Sequence, residues 1–444
     1  MGTVNTLKTY NSLNALIAGE GQGPAVEAAA YTLQNSGGPI RFMKLATSVA
    51  GAVSALAKSG AGPAITIAGT PNDDYQVYLV IPSGGGGILG TGKFQYSLDG
   101  GLTLSEVQVI PAGGTYAIPN SGMTLTFPAG TYVALETYTG TGTAPMWNAS
   151  DLGTGITALL ADVTTTWRFL VCCGRIATGA AAATIAAALQ SHMNSFAAQF
   201  RYRRAIVDSG DEAAAAAVIT AWTSTAADRV APAFRGFTRA SGKPFPGFAY
   251  VKSRVVDALA FQASRVLPST DLGRVASGAL PGVLSIEHDE FLLGPTLDDA
   301  KISTLRTIPG NTGYFITNGR LKAGVGSDFQ YWQYGILMDI ACETVYARQA
   351  QFLNAGYRRN PNGTILEADA SRLEGLVLAD LGAALLQPRN EEGTQGHVSG
   401  LRYAIDLSNT IPNSVISEVA IQPLNYAKFI TTRLGYVSSL PAAA

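Results

Sequence analysis

The stretch GVGSDFQYWQYGILMDIACETVYARQAQFLNAGYRR, at residues 324–359, is the segment around which the C-terminal half of the chain is organised. Its apolar residues recur at the spacing of one helix face for roughly seven turns; they are Phe329, Trp332, Ile336, Leu337, Ile340, Ala341, Val345 and Phe352. Ser327, with Gln330 three residues later, fits a capping box at its start. Gly356, followed closely by the sequence Asn-Pro-Asn-Gly, fits a stop. Aromatic residues surround most of the circumference, so we predict a long helix that is buried on more than one side.

Charged residues divide this helix into two sides. Asp328, Asp339 and Glu343 share an acidic edge, and Arg348 lies on the opposite, more apolar side. A cation in that position needs a carboxylate or a partner surface beside it.

The composition indicates a multidomain protein with little surface charge. A chain of 444 residues is too long for one core, and about two to four domains are expected. Only 14% of its residues are charged, against about a quarter in an average protein, and 50 are glycine. The net charge of -1 gives no sign of nucleic-acid binding. A surface poor in charge suits a protein covered by copies of itself or by partners, although composition alone also allows a neutral soluble enzyme.

We expect neither a signal peptide nor a membrane span, because we find no basic start before an apolar run and no apolar stretch long enough to cross a bilayer. The three cysteines, Cys172, Cys173 and Cys342, are too few for a disulfide framework and fit a reducing cytoplasm. The first two are adjacent in an apolar segment, which favours buried core thiols over a redox pair.

The first 145 residues divide into two regions. Up to residue 61 we predict an extended polar arm, a strand, a helix, a second strand and a small helix, at residues 3–10, 15–18, 26–33, 39–45 and 50–57. From residue 62 to 145, short β-forming runs alternate with Gly, Pro, Asn and Asp turns; the runs are residues 64–68, 76–81, 94–98, 106–110, 123–127 and 132–137. We interpret this second region as an all-β domain inserted into the host fold.

From residue 151 a βαβ pattern predicts a parallel or mixed sheet. A helix is followed by a strand, a helix, a strand and a helix, near residues 157–162, 167–172, 180–200, 204–208 and 211–223. A passage rich in Pro and Gly follows at residues 234–247, and a strand–helix–strand unit lies at residues 290–317. A second long helix precedes Pro388, and three strands follow it; we place these elements at residues 365–386, 401–408, 415–421 and 426–437.

Two glycine-rich sequences in the β region fit hairpins better than ligand sites. Residues 87–93 match most of a phosphate-binding loop, but Phe94 stands where Ser or Thr is needed, and a strand pattern follows instead of a helix. Asp99 and Gly100 favour a tight turn in which the carboxylate bonds nearby amides. A carbohydrate-binding turn is the alternative for that second sequence.

Other polar clusters predict no catalytic or metal site. The acidic run at residues 208–212 follows a strand, where ligands often bind in α/β sheets, and helix capping explains it about as well. A second polar cluster consists of Glu287, His288, Asp289 and Glu290. We interpret it as a solvated loop rather than a cation site. His192 and His397 are isolated, and no grouping suits general acid/base or nucleophilic chemistry. We therefore expect no catalytic residue, no cofactor and no metal.

Taken in order, these parts resemble a contractile bacteriophage tail sheath protein. Three stretches resemble the inserted domain of some sheath families; they are residues 65–71, 93–101 and 127–132. Residues 159–174, a small helix running into an apolar strand, resemble the α/β core of the family. GYFITNGR at residues 313–320, together with residues 326–329 and the long helix, resembles its C-terminal domain. The sequence Gly-Arg-Leu at residues 319–321 departs from the Gly-x-Arg-Thr pattern of many sheaths, which indicates a divergent branch.

The resemblance implies a multidomain fold of α+β and α/β type, with a mixed-sheet sheath core, an inserted all-β domain and β-strand terminal arms. The expected domains are an N-terminal extended arm, a core in two segments, the inserted domain, a C-terminal sheath domain and an exchanged strand. The arm is expected at residues 1–20, and the core at residues 21–61 and 146–285. The inserted domain is expected at residues 62–145, the C-terminal domain at residues 286–424 and the exchanged strand at residues 425–444.

The resemblance also implies a structural, force-generating polymer rather than a catalyst. Its subunits would form stacked rings around an inner tail tube and contract to drive that tube through the bacterial envelope. The implied partners are other copies of the chain, the inner tail tube protein, and baseplate and tail terminator proteins, without direct nucleic-acid contact or membrane insertion. The implied location is the virion tail, after assembly in the host bacterial cytoplasm. The alternatives are another virion component, such as a baseplate or decoration protein, and a carbohydrate-active enzyme with a β-module.

Two sets of candidate contact residues follow. The segment at residues 426–437 has strong β propensity and apolar residues on both faces, so as a free edge it would promote aggregation. We expect it to pair with a sheet of a neighbouring subunit, with the N-terminal arm as a second exchanged strand; the residues are Tyr426, Lys428, Phe429, Ile430, Thr432, Leu434, Tyr436, Val4 and Leu7. The resemblance implies that a helix of the C-terminal domain touches the tube, and the candidates are Arg348, Arg358 and Arg359. Complementing the helix dipole explains the last two as well.

Overall fold

The structure is a computed structural model that describes residues 3–293, 296–391, 393, 396–411 and 413–425. The chain divides into two compact units, Met1–Gln351 (unit 1) and Phe352–Ala444 (unit 2). Both units contain helices and strands, and the sheets include parallel and antiparallel pairs. The predicted mixed class of α and β structure is therefore confirmed.

Unit 1 begins with two short strands that enclose two helices: β1 (Leu7–Tyr10), α1 (Leu13–Glu20), α2 (Pro24–Asn35) and β2 (Ile40–Met43). The two strands pair antiparallel along their whole length.

The strand predicted at residues 15–18 is wrong, because α1 occupies that position. The side chain of Ser12 caps this helix by accepting a hydrogen bond from the main-chain N–H of Ala15, and Leu16 is fully buried. Helix α1 therefore occupies the second part of residues 1–20, the segment predicted as an extended arm.

Residues 52–143 carry strands and, within the described chain, no helix. The strands are β3 (Ala52–Val53), β4 (Ala57–Ser59), β5 (Thr66–Gly69), β6 (Tyr75–Val80), β7 (Lys93–Ser97), β8 (Gln108–Val109), β9 (Thr115–Ala117), β10 (Met123–Thr126) and β11 (Thr137–Thr143). One sheet has the order β3-β11-β6-β7-β8, with β4 also paired to β11, and another has the order β5-β10-β9. The β character predicted for this region is present.

The β region begins earlier than predicted and shares its core with other elements. The small helix expected at residues 50–57 is wrong, because the main-chain N–H of Ser54 donates to the carbonyl of Thr141 at 2.8 Å and places the segment beside β11. The strand expected at residues 132–137 starts later, as β11. Phe248, which lies far outside the region in sequence, belongs to the same buried cluster. A separate inserted domain at residues 62–145 stays a prediction.

A parallel sheet follows, built from α3 (Ala149–Ala161), β12 (Phe169–Cys172), α4 (Gly179–Ala197), β13 (Arg204–Asp208), α5 (Ala215–Ala221) and β14 (Val230–Ala233). Its order is β12-β13-β14, and both pairs are parallel, which confirms the βαβ prediction. Asn148 and Thr178 cap α3 and α4 with side-chain oxygens that accept main-chain N–H groups. Alternate residues of β13 enter different cores: Val207 packs with α3 and α4, and Ile206 packs in a second cluster.

The remainder of unit 1 contains β15 (Gly236–Phe245), β16 (Phe248–Arg254), α6 (Val255–Arg265), β17 (Val283–Ile286), α7 (Glu290–Leu293), α8 (Thr296–Asp299), β18 (Leu305–Ile308), β19 (Asn311–Ile316) and α9 (Trp332–Ala350). β15 pairs antiparallel with β16 and β17, so most of the Pro/Gly-rich passage at residues 234–247 is strand. Helices α6 and α9 supply Phe261 and Ile336 to the second cluster, together with Ile206.

Helix α9 is shorter than the predicted seven turns. It begins at Trp332, because the preceding chain forms a bridge in which the N–H of Leu321 donates to the carbonyl of Gln330 at 3.0 Å. Ser327 is therefore not the N-cap; its hydroxyl oxygen accepts the N–H of Phe329 in a turn before the helix. The helix ends at Ala350.

Unit 2 contains α10 (Glu367–Leu381), β20 (Val398–Ile405) and β21 (Ser417–Pro423). The two strands pair antiparallel, and the carboxylate of Glu374 on α10 accepts the N–H of Ile405 at 2.7 Å. The second long helix and the strands predicted before residue 424 are confirmed, with shifted ends. The strand predicted at residues 426–437 lies outside the described residues.

Candidate subunit-contact surfaces

Some sheets of the described chain have only two strands and leave main-chain edges without a partner strand. Two of them matter here, β1–β2 in unit 1 and β20–β21 in unit 2. Along β21 exposed residues alternate with half-buried ones, and the exposed set is Glu418, Ala420 and Gln422. An edge of this kind accepts a strand from another chain through main-chain hydrogen bonds.

The N-terminal residues predicted to contact a neighbour are paired within the single chain. Leu7 stands opposite Met43 in the β1–β2 sheet, and Val4 forms an isolated parallel bridge with Lys44. Their pairing with another subunit stays a prediction. The remaining candidates lie outside the described residues; they are Tyr426, Lys428, Phe429, Ile430, Thr432, Leu434 and Tyr436.

A cavity of about 1480 Å³ in unit 1 is lined by two strands that each have an unpaired edge. β2 and β12 contribute all their residues to its wall, and β12 is the end strand of the parallel sheet. Apolar wall residues include Phe42, Leu152, Trp167 and Leu170. Small-molecule pockets measure about 300–1,000 Å³, so this space is large for a compact ligand.

The three arginines predicted to face a tube belong to two different units. Arg348 lies in the last turn of α9 and donates to the side-chain oxygen of Gln351 at 3.0 Å. Arg358 and Arg359 come after that helix and belong to unit 2. Complementing the dipole of the long helix does not explain them, because α9 ends at Ala350.

The two unit 2 arginines make different contacts. Arg358 pairs with Asp369 at 2.8 Å, and its side chain is 71% exposed. The guanidinium of Arg359 instead donates to main-chain oxygens of its own unit, those of Gly363, Asn409, Ile411 and Ser414. Arg359 therefore holds its own loop together.

The acidic edge of α9 is buried against arginines of the parallel-sheet region. The carboxylate of Asp339 accepts from Arg204 Nε at 2.6 Å, from Arg204 Nη2 at 3.0 Å and from Arg229 Nη1 at 3.1 Å. Arg204 also donates to the main-chain oxygens of Gly335 and Asp228, both at 2.8 Å. A Cβ on Gly335 would lie 2.2 Å from Arg204 Cζ, so only glycine lets the guanidinium reach the helix.

The rest of the predicted edge is less buried. Glu343 pairs with Arg203 at 2.5 Å, and the Glu343 side chain is 36% exposed. Asp328 precedes the helix and is exposed. The carboxylates on α9 thus attach this helix to the sheet rather than to a ligand.

Ion pairing and helix capping account for the acidic run at residues 208–212. Arg254 donates to Asp208 at 2.9 Å and to Asp211 at 2.8 Å. Glu212 accepts the N–H of Gly179 at the start of α4, at 2.8 Å. Burial raises the pKa of Asp208, and the neighbouring guanidinium of Arg254 opposes that shift.

In the cluster at residues 287–290, Glu287 is exposed and Asp289 is half-buried, but His288 and Glu290 are buried, so the solvated-loop interpretation is wrong for those two residues. His288 Nε2 and Glu290 Oε2 are 2.9 Å apart, and these two residues are 8% and 4% exposed. The second carboxylate oxygen of Glu290 accepts the N–H of Leu297 in α8 at 2.8 Å, and these contacts draw the segment inward. Among the described residues, no group of three or more His, Cys, Asp or Glu is placed to hold a metal ion.

Both glycine-rich turns of the β region have structural roles. Lys93 begins β7, so a strand rather than a helix N-terminus follows the loop at residues 87–92. The carboxylate of Asp99 accepts hydrogen bonds at 2.6, 2.8, 3.2 and 3.3 Å from Ser97 Oγ and from the N–H groups of Thr103, Ala249 and Tyr250. The Asp99 turn therefore attaches the β region to β16.

The described chain has no helix that is both long and apolar enough to span a bilayer. Cys172, Cys173 and Cys342 are free thiols. Burial raises the pKa of Cys172 to about 12, as expected of a core thiol.

The arginines that hold α9 were missed by sequence reasoning, although two signals were present. Asp339 lies within an apolar helix, where a carboxylate needs a buried cation. Arg203 and Arg204 are adjacent at the start of an apolar strand. The distance of about 135 residues between Arg204 and Asp339 hides their pairing from any local pattern.

No protein-family model matches this sequence, and no curated protein matches it. Several solved structures do match. The similarity is to tail sheath and baseplate structures. The sheath tail protein from Desulfitobacterium hafniense is 12% identical, with a TM-score of 0.43 over 95% of this chain and 94% of that chain. The helical sheath of the anti-feeding prophage in its contracted state is 14% identical, with a TM-score of 0.42 over 66% of this chain and 77% of that chain.

The baseplate of the same prophage is also similar, at 14% identity and a TM-score of 0.42 over 66% of this chain and 76% of that chain. At this identity and overlap, no residue role passes from them to this chain.

Proposed function

We propose that the chain is a structural subunit of a contractile tail sheath, which polymerises around an inner tail tube and contracts to drive the tube through a bacterial envelope. The observation that carries the proposal is the pair of two-stranded sheets, β1–β2 and β20–β21, which accompany β-forming segments near both ends of the sequence. Strands exchanged between subunits join them by main-chain hydrogen bonds, which persist while rigid bodies shift.

The exchanged strands are residues 426–437 and the N-terminal arm. Val4 and Leu7 would leave Lys44 and Met43 of their own chain for the same partners in a neighbour. Because the pairs are identical, this exchange changes connectivity without losing hydrogen bonds. The cavity lined by β2 and β12 offers a further receiving edge.

The proposed domains are the arm, a core, a peripheral inserted β domain, a C-terminal domain and the exchanged strand, with the boundaries given by the sequence. The partners are other copies, the inner tail tube protein, and baseplate and tail terminator proteins, in a virion tail assembled in the host bacterial cytoplasm. The chain acts without catalysis or cofactor. This assignment is supported by the polar clusters of the described chain, since the carboxylates of Asp99, Asp208 and Glu290 are engaged with its own main chain and arginines.

Arg358 is the strongest of the three proposed tube contacts, because it is exposed and has a single carboxylate partner in the described contacts. Charge reversal by Arg358→Glu should weaken attachment of the subunit to tube protein in co-sedimentation. Arg359→Glu is the comparison variant for a purely structural effect, because Arg359 holds its own loop together. Unchanged attachment in Arg358→Glu and in Arg348→Glu would remove both residues from the tube-facing set.

Electron microscopy of the purified full-length chain tests the function. We expect long striated tubes from the intact chain and folded but unassembled subunits after truncation behind Leu424. Truncation behind Pro441 is the matched control, because it removes only the three final alanines. Tubes of normal length from the Leu424 truncation would refute strand exchange. A monomer with ligand-dependent activity would refute the sheath proposal itself.

A further inference from the structure

The cavity in unit 1 separates two strands that lie between helices on both sides. β2 and β12 line it with all their residues, and each has one edge without a partner strand. On β12, Leu170 packs against the core of α3 and α4, and Phe169 packs into the second cluster with α6. On β2, Met43 packs against the same core of α3 and α4, and Phe42 packs on α1 and α2. Each strand therefore divides its side chains between the two sides of one layer.

Helix contacts place β2 in the layer of the parallel sheet. On one side, the rings of Tyr31 on α2 and Phe261 on α6 are 5.1 Å apart, so the helices that cover β2 and β12 pack on each other. On the other side, a Cβ on Gly155 of α3 would lie 3.2 Å from Met43 Cε, so Met43 lies against α3. β2 thus continues the layer of β12, β13 and β14, but no strand pairing joins it to β12. We call the space between β2 and β12 the slot.

The size of the cavity compares with that of one extended strand. Strand spacing, sheet spacing and rise per residue give about 160 Å³ for each residue of a packed strand. The cavity of about 1480 Å³ therefore equals about nine such residues, and its wall on the β12 side runs over residues 166–175. Apolar side chains of both strands, such as Leu170 and Phe42, stay half-buried. Direct pairing of β2 with β12 would satisfy the main-chain groups of both facing edges and exclude the water between them.

Basic side chains around the slot oppose that pairing. Arg41 lies on β2, and Arg168 directly precedes β12; both are exposed and pair with no carboxylate in the described contacts. The charged residues of the cavity wall are five basic and two acidic ones; they are Arg41, Lys44, Arg168, Arg175, Lys243, Glu20 and Asp74. Both acidic residues are engaged, because Glu20 binds Lys8 and Asp74 accepts the N–H of Ala144. Moving the two strands together therefore brings like charges closer.

We infer that β2 and β12 pair directly in a second, closed state of unit 1, and that repulsion between the basic residues around the slot holds it open at low ionic strength. The chain before β2 allows this shift, because Gly37 has a φ of +77° and lies with Gly38 at the wall of the cavity. Among the described residues, no atom would lie within 4 Å of a Cβ on Gly37, so packing does not fix this turn. The inference does not depend on the sheath function. A closed slot has no free edge for the strand of a neighbour.

Disulfide trapping in the full-length chain tests the closed state. Met43→Cys should lose its new thiol to a disulfide with the native Cys172, because both positions face the core of α3 and α4 and pairing brings such residues within about 7 Å between Cα atoms. A companion chain with Leu170→Cys and Cys172→Ala covers the register shifted by two residues on the same face. Leu7→Cys is the matched control, because Leu7 stands opposite Met43 and is also half-buried but lies one strand farther from β12. The wild-type chain gives the background of the three native cysteines.

Salt and charge variants test what holds the slot open. Raising NaCl from about 0.01 M to about 1 M shortens the Debye length from about 30 Å to about 3 Å. Disulfide formation in Met43→Cys should therefore quicken roughly tenfold, which corresponds to about 1.4 kcal/mol. Arg168→Gln, added to that chain, should give much of this gain at low salt. Arg402→Gln, at a side chain of unit 2 that is 69% exposed, should leave the rate unchanged.

The outcomes separate closure from repulsion. The urea midpoint of each reduced variant shows whether it folds, and if Met43→Cys does not, Phe42→Cys with Val171→Cys tests the opposite face of the two strands. Folded chains that form no disulfide on either face, or that form as much with Leu7→Cys, would overturn closure. A rate that responds neither to salt nor to Arg168→Gln would overturn the role of charge.

Discussion

Asp339→Ala should be among the most destabilising single substitutions in unit 1. It removes both oxygens that receive the guanidinium of Arg204, whose side chain is 2% exposed, and one contact of Arg229. Among its described hydrogen-bond partners, Arg204 then retains the main-chain oxygens of Gly335 and Asp228. A buried cation without a counter-charge is the costly outcome, since burial already lowers the pKa of Arg204.

The magnitude follows from the burial of this pair. Breaking a buried ion pair by removing one partner costs about 3–5 kcal/mol, which is a large part of the roughly 5–15 kcal/mol that stabilises a domain. Glu343→Ala is the matched comparison on the same helix, because its carboxylate is 36% exposed and its pairing with Arg203 is partly screened. We expect that change to cost at most about 1 kcal/mol.

Urea unfolding followed by tryptophan fluorescence measures both losses, since Trp332 at the start of α9 is buried. The double variant Arg204→Met with Asp339→Leu should recover much of the stability, because an apolar pair of similar size needs no counter-charge. The reasoning is refuted if Asp339→Ala costs no more than Glu343→Ala.

Three further outcomes are expected. Burial raises the pKa of Asp257 to about 7, so between about pH 4 and 7 the folded chain keeps a proton that the unfolded chain releases. The stability that this group contributes is therefore highest below about pH 4 and falls as the pH rises to about 7. Asp257→Asn should flatten that part of a pH series of urea midpoints. Asp99→Ala should cost about 2–3 kcal/mol in the same assay, because buried N–H groups lose their acceptor, whereas exposed Glu106→Ala should stay within about 0.5 kcal/mol. Arg359→Ala should speed hydrogen exchange in β20 and β21 because four main-chain oxygens lose their donor, and Arg358→Ala, which breaks an exposed pair, should change it little.

Local patterns predicted the elements whose partners are close in sequence. The βαβ order of β12, α4 and β13, with parallel pairing, follows from alternating strand and helix periods. The turn at Asp99 follows from its own residues, because a short acidic side chain followed by glycine bonds nearby amides. The apolar face of α9 was also correct, and its buried residues include Trp332, Ile336 and Val345.

Some of the errors fall where a residue outside the local pattern supplies the partner. Residues 50–57 suit a small helix by composition, yet β11, which follows much later in the chain, offers Ser54 a main-chain carbonyl. The main-chain N–H of Leu321 donates to the carbonyl of Gln330, and α9 therefore begins later than predicted. Helix propensity amounts to a fraction of a kcal/mol per residue, so a few such contacts outweigh it.

The sequence by itself determined which segments are apolar, with what period, and where Gly, Pro and short polar residues turn the chain. Only the tertiary structure decided which cation meets Asp339 and that His288 and Glu290 are buried. The physical reason is that local periodicity encodes a preference for burial. The partner of a buried charge or of a free main-chain group depends on which distant residues the fold brings within hydrogen-bonding distance.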